Sequence, residues 1–253
     1  MKIGLIQYDQ AWESKKKNQR KIETLLEKSN KDFSLLIFPE MTLTGFTMKS
    51  HEFAEDLNGP SRDFFCNLSV KYNTEILAGM IEKDNDDIFN SMLHINKSGE
   101  LVSKYRKIHP FSFSGEDKNY RKGNKTIITN IDNWKIGLSI CYDLRFPELF
   151  RQYAKQRVDL IVTIANWPTS RISHWRTLLK ARAIENQCFV TGVNRVGTDL
   201  SNDYNGFSSI INPLGEELLV IENQEGLFLY DVPLKETAEI REKLPFLNDI
   251  TLI

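Results

Sequence analysis

One feature most constrains the fold of this 253-residue chain: it contains short apolar runs that stop at polar residues. Segments with helical periodicity separate these runs. Ser34–Phe38 ends at Pro39-Glu40, Trp134–Ile140 at Cys141-Tyr142-Asp143, and Asp159–Ala165 at Asn166-Trp167-Pro168. Buried strands produce such runs, and their alternation with helices predicts an α/β fold whose sheets are covered by helices. Because ligands gather at the carboxyl ends of strands in such sheets, these three ends are the expected place of a site. The alternative is that each end is an ordinary strand-to-loop transition.

The remaining pattern predicts further strands and helices and contains no repeat or low-complexity segment. Strands are predicted at Lys2–Tyr8, Glu75–Glu82, Ile88–Asn96, Leu101–Lys107, Thr126–Ile131, Cys188–Asn194, Phe207–Asn212, Glu217–Ile221 and Leu227–Val232. Helices are predicted at Ser14–Asn30, Arg62–Tyr72, Phe146–Lys155, Ser173–Asn186 and Leu234–Lys243. Since no linker interrupts this pattern, we expect a single domain over residues 1–253.

Charge and cysteine content exclude several classes of function. Lys and Arg number 33 against 34 Asp and Glu, so the chain lacks the basic excess of a protein that binds nucleic acid or anionic membranes. Three cysteines without CxxC spacing indicate neither a disulfide framework nor a zinc site, and the four histidines show no ligand spacing. The first residues turn polar at Asp9, whereas a signal peptide needs a longer apolar run. No apolar stretch approaches the ~18 residues of a membrane span. We therefore expect a cytoplasmic protein with reduced thiols.

Cys141 is the sharpest single candidate for chemistry. It follows a predicted strand and precedes a predicted helix, and helix N–H groups at such an elbow favour the thiolate. Cys66 and Cys188 lie among apolar residues and fit the commoner role of a free cysteine, that of a small, inert hydrophobe. The same inert role is the alternative for Cys141, but its neighbours are polar.

A cysteine nucleophile requires a base and a donor for the oxyanion. Histidine is the usual base, which makes His109 and His174 candidates. Lys107, in a cationic segment that ends at a proline turn, is a second kind of candidate because a fixed ammonium stabilises developing negative charge. The alternative for this segment is a solvated basic strand end. Residue types alone do not choose between Lys107 and His109.

Several separated motifs together resemble the nitrilase superfamily of carbon–nitrogen hydrolases. They are Phe38-Pro39-Glu40, Tyr105-Arg106-Lys107-Ile108-His109, Gly115-Glu116, Cys141-Tyr142-Asp143-Leu144-Arg145-Phe146-Pro147-Glu148, Ala165-Asn166-Trp167-Pro168 and Asn212-Pro213-Leu214-Gly215-Glu216. The likeness extends from about Lys2 to Val232. It implies a four-layer α-β-β-α sandwich, usually built into homodimers through the helices that follow the nucleophile and the Trp167 loop.

The resemblance also implies roles for individual residues. Glu40 matches the general base, Lys107 the catalytic lysine, Cys141 the nucleophile, and Glu116 the second glutamate that helps to position the substrate. An amide carbon attacked by Cys141 would become a thioester, with the oxyanion held by Lys107 and the backbone N–H of Tyr142. This chemistry implies no metal and no organic cofactor.

Within the superfamily, the motifs around Cys141, Trp167 and His174-Trp175 are most similar to the ω-amidases. These enzymes release ammonia from ω-monoamides of small dicarboxylic acids such as 2-oxoglutaramate. Such a substrate requires a cation for its distal carboxylate. The candidates are Arg145 as first choice, then Arg171, Arg176 and Arg195, although Arg145 is equally suited to pair with Asp143 or Glu148. Trp167 is expected to form a pocket wall, and Arg182 with Glu185 a structural pair.

Three alternatives remain open at this level. The first is an amidase of the same family acting on deaminated glutathione, an N-carbamoyl amine or an aliphatic amide, with a true nitrilase less favoured. The second is a Cys–His hydrolase that uses Cys141 with His109 or His174. The third is a non-catalytic interaction or thiol-sensing protein, which the intact set of Glu40, Lys107 and Cys141 disfavours.

Overall fold

The computed structural model describes residues 1–29 and 32–252. The strands are β1 (Lys2–Gln7), β2 (Leu35–Ile37), β3 (Glu75–Asp84), β4 (Asp87–Ile95), β5 (Leu101–Arg106), β6 (Ile128–Ile131), β7 (Trp134–Ile140), β8 (Leu160–Ile164), β9 (Phe189–Val193), β10 (Val196–Thr198), β11 (Asp203–Ile211), β12 (Glu217–Glu222) and β13 (Gly226–Asp231). The α-helices are α1 (Lys15–Glu27), α2 (Ser50–Phe53), α3 (Pro60–Tyr72), α4 (Glu116–Asn119), α5 (Pro147–Lys155), α6 (Ile172–Asn186) and α7 (Leu234–Lys243). Single 3₁₀ turns cover Ser112–Ser114, Cys141–Arg145, Thr169–Arg171 and Phe246–Asp249.

The strands form two mixed sheets. The first has the order β13-β1-β2-β3-β4-β5, and the second has the order β10-β11-β9-β8-β7-β6, with β12 paired to β11. In the first sheet β1, β2 and β3 run parallel. In the second sheet β7, β8 and β9 run parallel. Each sheet therefore has a parallel centre whose strand ends point to one edge.

Side chains that point alternately to the two faces of each strand divide the core into layers. In β1, Ile3 and Leu5 belong to a cluster that includes Ile136 of the second sheet, whereas Ile6 packs with Ile22 of α1. Successive side chains of a strand point to opposite faces, so one run of apolar residues serves two interfaces. On the outer face of the second sheet, a Cβ at Gly137 would lie 2.8 Å from the ring of Tyr153 in α5. The α-β-β-α sandwich is thus confirmed.

Most predicted elements are confirmed within a few residues. The elements that were not predicted are β10, the first half of β11 and the one-turn helices α2 and α4. In β10, Val196-Gly197-Thr198 is too short to show a strand pattern. It pairs with the first half of β11 in antiparallel register. The first helix ends at Glu27 with Lys28 as its C-cap, and Asn30, where it was predicted to end, lies outside the described residues. In residues 1–29 and 32–252, no helix is long and apolar enough to cross a membrane.

Candidate active site

The edge where the parallel strands end gathers the side chains singled out in the sequence. Glu40 follows β2, Lys107 follows β5, Cys141 follows β7, and Glu116 begins α4. Glu40, Lys107 and Glu116 are each at most 1% exposed. Three charged side chains buried together must compensate one another, because an unpaired buried charge is costly.

Lys107 binds both carboxylates at once. Its Nζ lies 2.9 Å from Glu40 Oε1 and 3.0 and 2.8 Å from the two oxygens of Glu116. Burial alone would lower the pKa of Lys107, but the negative charges of Glu116 and Glu40 outweigh it and hold this pKa well above its ordinary value. The ammonium is therefore charged at neutral pH, and its position is fixed by three oxygens.

The second carboxylate, Glu116, is tied down at its other side as well. Its Oε2 accepts the backbone N–H of Phe111 at 2.6 Å. Burial raises the pKa of Glu116, the charge of Lys107 opposes this, and the charge of Glu40 adds to it. The two glutamates thus share the charge of one lysine. A further hydrogen-bond donor or a further acid beside them would therefore change the pKa of Glu116.

Cys141 lies at a strained elbow between β7 and the turn before α5. Its φ of 49° is left-handed, a conformation that costs a residue with a Cβ about 1–2 kcal/mol and persists where the surroundings enforce it. The pKa of its thiol is raised well above the usual value, chiefly by burial and then by the charge of Glu40, against the opposing charge of Lys107. The helix N–H groups that favour the thiolate are therefore outweighed in the free protein. Cys141 rests as a thiol and needs a base.

The loop that carries Glu40 is held by close backbone packing. A Cβ at Gly79 of β3 would lie 2.5 Å from the backbone nitrogen of Met41 and 2.9 Å from the Cα of Glu40. The backbone N–H of Gly79 donates to Thr42 Oγ1 at 3.0 Å, and Thr42 Oγ1 donates to the Pro39 carbonyl at 2.7 Å. Only a glycine at position 79 lets this loop approach β3 so closely.

Two asparagines also donate hydrogen bonds to Glu40. Asn90 Nδ2 donates to Glu40 Oε1 at 2.7 Å and to Glu116 Oε1 at 2.9 Å. The backbone N–H of Asn166 donates to Glu40 Oε2 at 2.8 Å, and its Nδ2 to the Glu40 carbonyl at 2.7 Å. Asn166 was recognised at a strand end, but Asn90 was missed. Its one signal was a polar residue inside the apolar strand β4.

A cavity of about 500 Å³ opens in front of this cluster. Cys141, Tyr142, Arg145 and Trp167 all line it, so the structure brings the nucleophile candidate and the three substrate-binding candidates to one space. The Nε1 of Trp167 donates to the Arg171 carbonyl at 2.8 Å, which fixes the indole as a wall. The further lining residues are Trp12, Glu13, Phe46, Thr47, Met48, Lys49, Phe111, Phe113, Ser114, Asn166, Pro168, Arg171, Asp199, Leu200, Ser201, Asn202 and Tyr204.

Arg145 faces the cavity without a carboxylate partner in the part of the chain that the structure describes. Both Nη atoms lie 3.3 Å from His174 Nδ1, and the guanidinium lies over the Trp167 ring at 4.7 Å and the Tyr142 ring at 5.9 Å. Because arginine only donates, His174 Nδ1 accepts here. The alternative pairing of Arg145 with Asp143 or Glu148 is wrong for the free protein.

The other three arginine candidates separate into two groups. Arg171 lines the cavity and lies over the Phe111 ring at 5.6 Å. Arg176 is paired with Glu217 at 3.2 Å, and Arg195 is fully buried against Asp9 at 3.0 Å. Neither Arg176 nor Arg195 lines the cavity, so their candidacy as substrate ligands is not supported by the structure.

His109 serves a structural carboxylate. Its Nδ1 and backbone N–H approach Asp143 Oδ1 at 2.7 and 2.9 Å, and its ring stacks on Phe146 at 3.9 Å. The second oxygen of Asp143 accepts Tyr105 Oη at 2.7 Å and the backbone N–H of Ile140 at 3.0 Å. Asp143 therefore ties the segment after β5 to the Cys141 elbow. The predicted structural pair of Arg182 and Glu185 is also present, at 2.8 Å.

Comparisons with known proteins agree with this geometry. The family model of carbon-nitrogen hydrolases matches residues 2–242. A protein of Bacillus subtilis named 2-oxoglutaramate amidase is 34% identical over 98% of this chain and 96% of its own length. Omega-amidase YafV of Escherichia coli K12 is 33% identical over 98% and 96%. The crystal structure of XC1258 from Xanthomonas campestris, a CN-hydrolase superfamily protein with an arsenic adduct in its active site, superimposes with a TM-score of 0.96 at 32% identity, covering 100% of this chain and 98% of that one.

Proposed function

Because the chain belongs to the carbon–nitrogen hydrolase family, we propose that it hydrolyses the ω-amide of small dicarboxylic acid monoamides of the 2-oxoglutaramate kind to the acid and ammonia. The observation that carries this proposal is a cavity lined by Cys141 together with two guanidiniums, Arg145 and Arg171, that have no carboxylate partner among the described residues. A cation without a counter-ion in front of a nucleophile suits a substrate with a distal carboxylate. Relatives named 2-oxoglutaramate amidase and omega-amidase support the same substrate class.

The proposed chemistry begins with proton transfer from the Cys141 thiol to Glu40. The sulfur then forms a bond to the amide carbon, and the oxyanion is held by Lys107 and the backbone N–H of Tyr142. Return of the proton to the nitrogen releases ammonia and leaves a thioester on Cys141. Glu40 next takes a proton from water, which attacks the thioester and frees the acid and the thiol. Glu116 holds Lys107 in place throughout.

Ammonia release from 2-oxoglutaramate and 2-oxosuccinamate by the purified protein tests the proposed function. Mass spectrometry of the protein quenched during turnover should show the acyl group on the peptide that contains Cys141. A protein that binds these amides but neither releases ammonia nor carries an acyl group would match the non-catalytic alternative. An enzyme that turns over only an N-carbamoyl amine, an aliphatic amide or deaminated glutathione would match the same-family alternative.

We expect Arg145→Ala to raise KM for 2-oxoglutaramate about 10- to 100-fold, because a charge-assisted hydrogen bond to the distal carboxylate is lost. A neutral amide of similar size should be affected much less, since it makes no use of the cation. Steady-state kinetics on both substrates measure the difference. Arg176→Ala is the matched control, because Arg176 pairs with Glu217 away from the cavity.

An equal fall in kcat for both substrates would assign Arg145 to holding the Cys141 elbow instead. Arg171→Ala would then become the decisive variant, since Arg171 is the other guanidinium in the cavity wall. If neither variant discriminates between the charged and the neutral amide, a distal carboxylate is not part of the substrate.

We further propose a homodimer formed through α5 and α6. Ile184 of α6 is 53% exposed, and Leu214 is 51% exposed. A Cβ at Gly215, the neighbour of Leu214, would lie 2.6 Å from Ile184 Cδ1, so the two exposed apolar residues lie close together. Exposed apolar patches of this kind mark association surfaces. Sedimentation velocity should give twice the chain mass, and Ile184→Glu should give a monomer. A wild-type monomer at micromolar concentration would contradict the proposal.

A cytoplasmic location and a single domain over residues 1–253 remain predictions. The former is supported by three free cysteines, Cys66, Cys141 and Cys188, which is the usual state in a reducing compartment. The latter is supported by a family match that extends from residue 2 to residue 242.

A further inference from the structure

Asn90 closes a ring of hydrogen bonds with the charged cluster. Its Nδ2 and the Nζ of Lys107 bind the same two atoms, Glu40 Oε1 and Glu116 Oε1, at 2.7, 2.9, 2.9 and 3.0 Å. Two donors and two acceptors thus alternate around a square. The backbone carbonyl of Asn90 also accepts the backbone N–H of Lys107 at 2.9 Å. One residue of β4 therefore binds both carboxylates and the backbone of Lys107.

The chemistry of the neighbours fixes the orientation of the Asn90 amide. Asn90 is 1% exposed, and its Oδ1 has no hydrogen-bond partner in the described residues. A flipped amide would place Oδ1 against two carboxylate oxygens, neither of which can donate when ionised. The unpaired oxygen is therefore the cost of directing both N–H donors at Glu40 and Glu116.

We propose that Asn90 is a positioning residue that holds the Glu40 carboxylate in the orientation it needs as the base for Cys141. This rests on the proposed role of Glu40. Oε1 of Glu40 accepts hydrogen bonds from Asn90 and Lys107. Its Oε2, which accepts the backbone N–H of Asn166, is therefore the oxygen that takes the proton of the thiol. The two neutral N–H donors also screen the repulsion between Glu40 and Glu116 without adding a charge.

The titratable groups in and around this ring come from several elements. They are Glu40 after β2, Lys107 after β5, Glu116 and Tyr120 in and after α4, and Cys141 after β7. Lys107 is the cation among them, and Glu116 already has a raised pKa because of its burial. Loss of the Asn90 donor would make Glu116 take up a proton more readily, since a hydrogen bond to the charged form favours that form.

For Asn90→Ala we expect kcat to fall about 100-fold through misplacement of the base. The acid limb of the kcat/KM profile should move to higher pH by about one unit, because the ionised form of Glu116 loses a hydrogen-bond donor. Asn90→Asp has the same shape but adds a third acid to the ring, so its acid limb should move further. The aspartate variant also keeps the test open if the alanine variant does not fold.

The rate at which iodoacetamide alkylates Cys141, measured against pH, gives a readout that needs no substrate. Its profile should shift in the same direction in both Asn90 variants. If the wild-type protein hydrolyses no ω-amide yet the alkylation profiles shift, the proposed substrate fails while the role of Asn90 stands.

Ser91→Ala is the matched control. Ser91 is the next residue of β4, is equally buried, and donates to the carboxylate of Glu82 at 2.6 Å, on the opposite face of the sheet. We expect it to leave both pH profiles unchanged. Asn90 variants that lose activity with unshifted acid limbs would show a merely structural role and overturn the proposal, as would variants with normal activity.

Discussion

Cys141→Ala and Cys141→Ser should lower kcat by a factor on the order of 10⁴ or more while the protein stays folded, because no other group can form the thioester. Both replacements are small and keep the backbone. Cys141→Gly should be equally inactive but more stable than Cys141→Ala by about 1 kcal/mol, since glycine adopts the φ of 49° without strain. Ammonia release and thermal melting measure the two effects.

The remaining cysteines provide the controls for this experiment. Cys188 is fully buried in the core beside β9, and Cys66 is half-buried on α3. Cys66→Ser and Cys188→Ser should retain most of the activity, although the buried hydroxyl at position 188 should cost about 1–3 kcal/mol of stability. Loss of turnover in either variant, with a normal melting curve, would contradict the choice of Cys141 as the nucleophile.

Lys107→Arg should be nearly as inactive as Lys107→Ala, with kcat lower by about 100- to 1000-fold. The Nζ of Lys107 lies within 3.0 Å of three carboxylate oxygens in a buried site, and a guanidinium is longer and planar. Lys107→Ala should in addition lose about 3–5 kcal/mol of stability, because it leaves Glu40 and Glu116 buried without their cation. Steady-state kinetics and denaturant unfolding separate the two losses.

Lys104→Arg, three residues earlier in β5, is the control. Lys104 binds Glu82 at 2.5 Å, outside the cluster, so this variant should behave like the wild type. Near-normal turnover in Lys107→Arg would reduce Lys107 to a general positive charge. Parallel measurements on His109→Ala and His174→Ala address the Cys–His alternative, which predicts that a histidine variant loses more activity than Lys107→Ala.

The fold could be predicted from the sequence because apolar runs and helical periodicity are local patterns. The apolar residues of β2 and β7 are buried on both faces of their strands, and burial alone dictates their composition. The same logic found Glu40 and Cys141, since a polar residue directly after such a run is visible without any knowledge of its partners. It failed at β10, where pairing with β11 rather than composition makes the strand.

The resting charge state of Cys141 could not be decided from the sequence for a similar reason. Proximity to a helix start is readable from Pro147, and it suggested a thiolate. Burial and the charge of Glu40, which lies 101 positions earlier in the chain, instead raise the pKa of the thiol. Electrostatic effects of this kind sum over neighbours that only the folded chain brings together.

The sequence by itself determined the layered α/β architecture and, through its motifs, the family and the four charged or nucleophilic residues Glu40, Lys107, Glu116 and Cys141. The tertiary structure alone decided that His109 serves Asp143, that Arg195 is buried against Asp9, and that Asn90 joins Glu40 to Glu116. These contacts link residues 26 to 186 positions apart. Periodicity and local motifs report which face of an element is buried, whereas the partner of a buried polar group is set by the packing of distant segments.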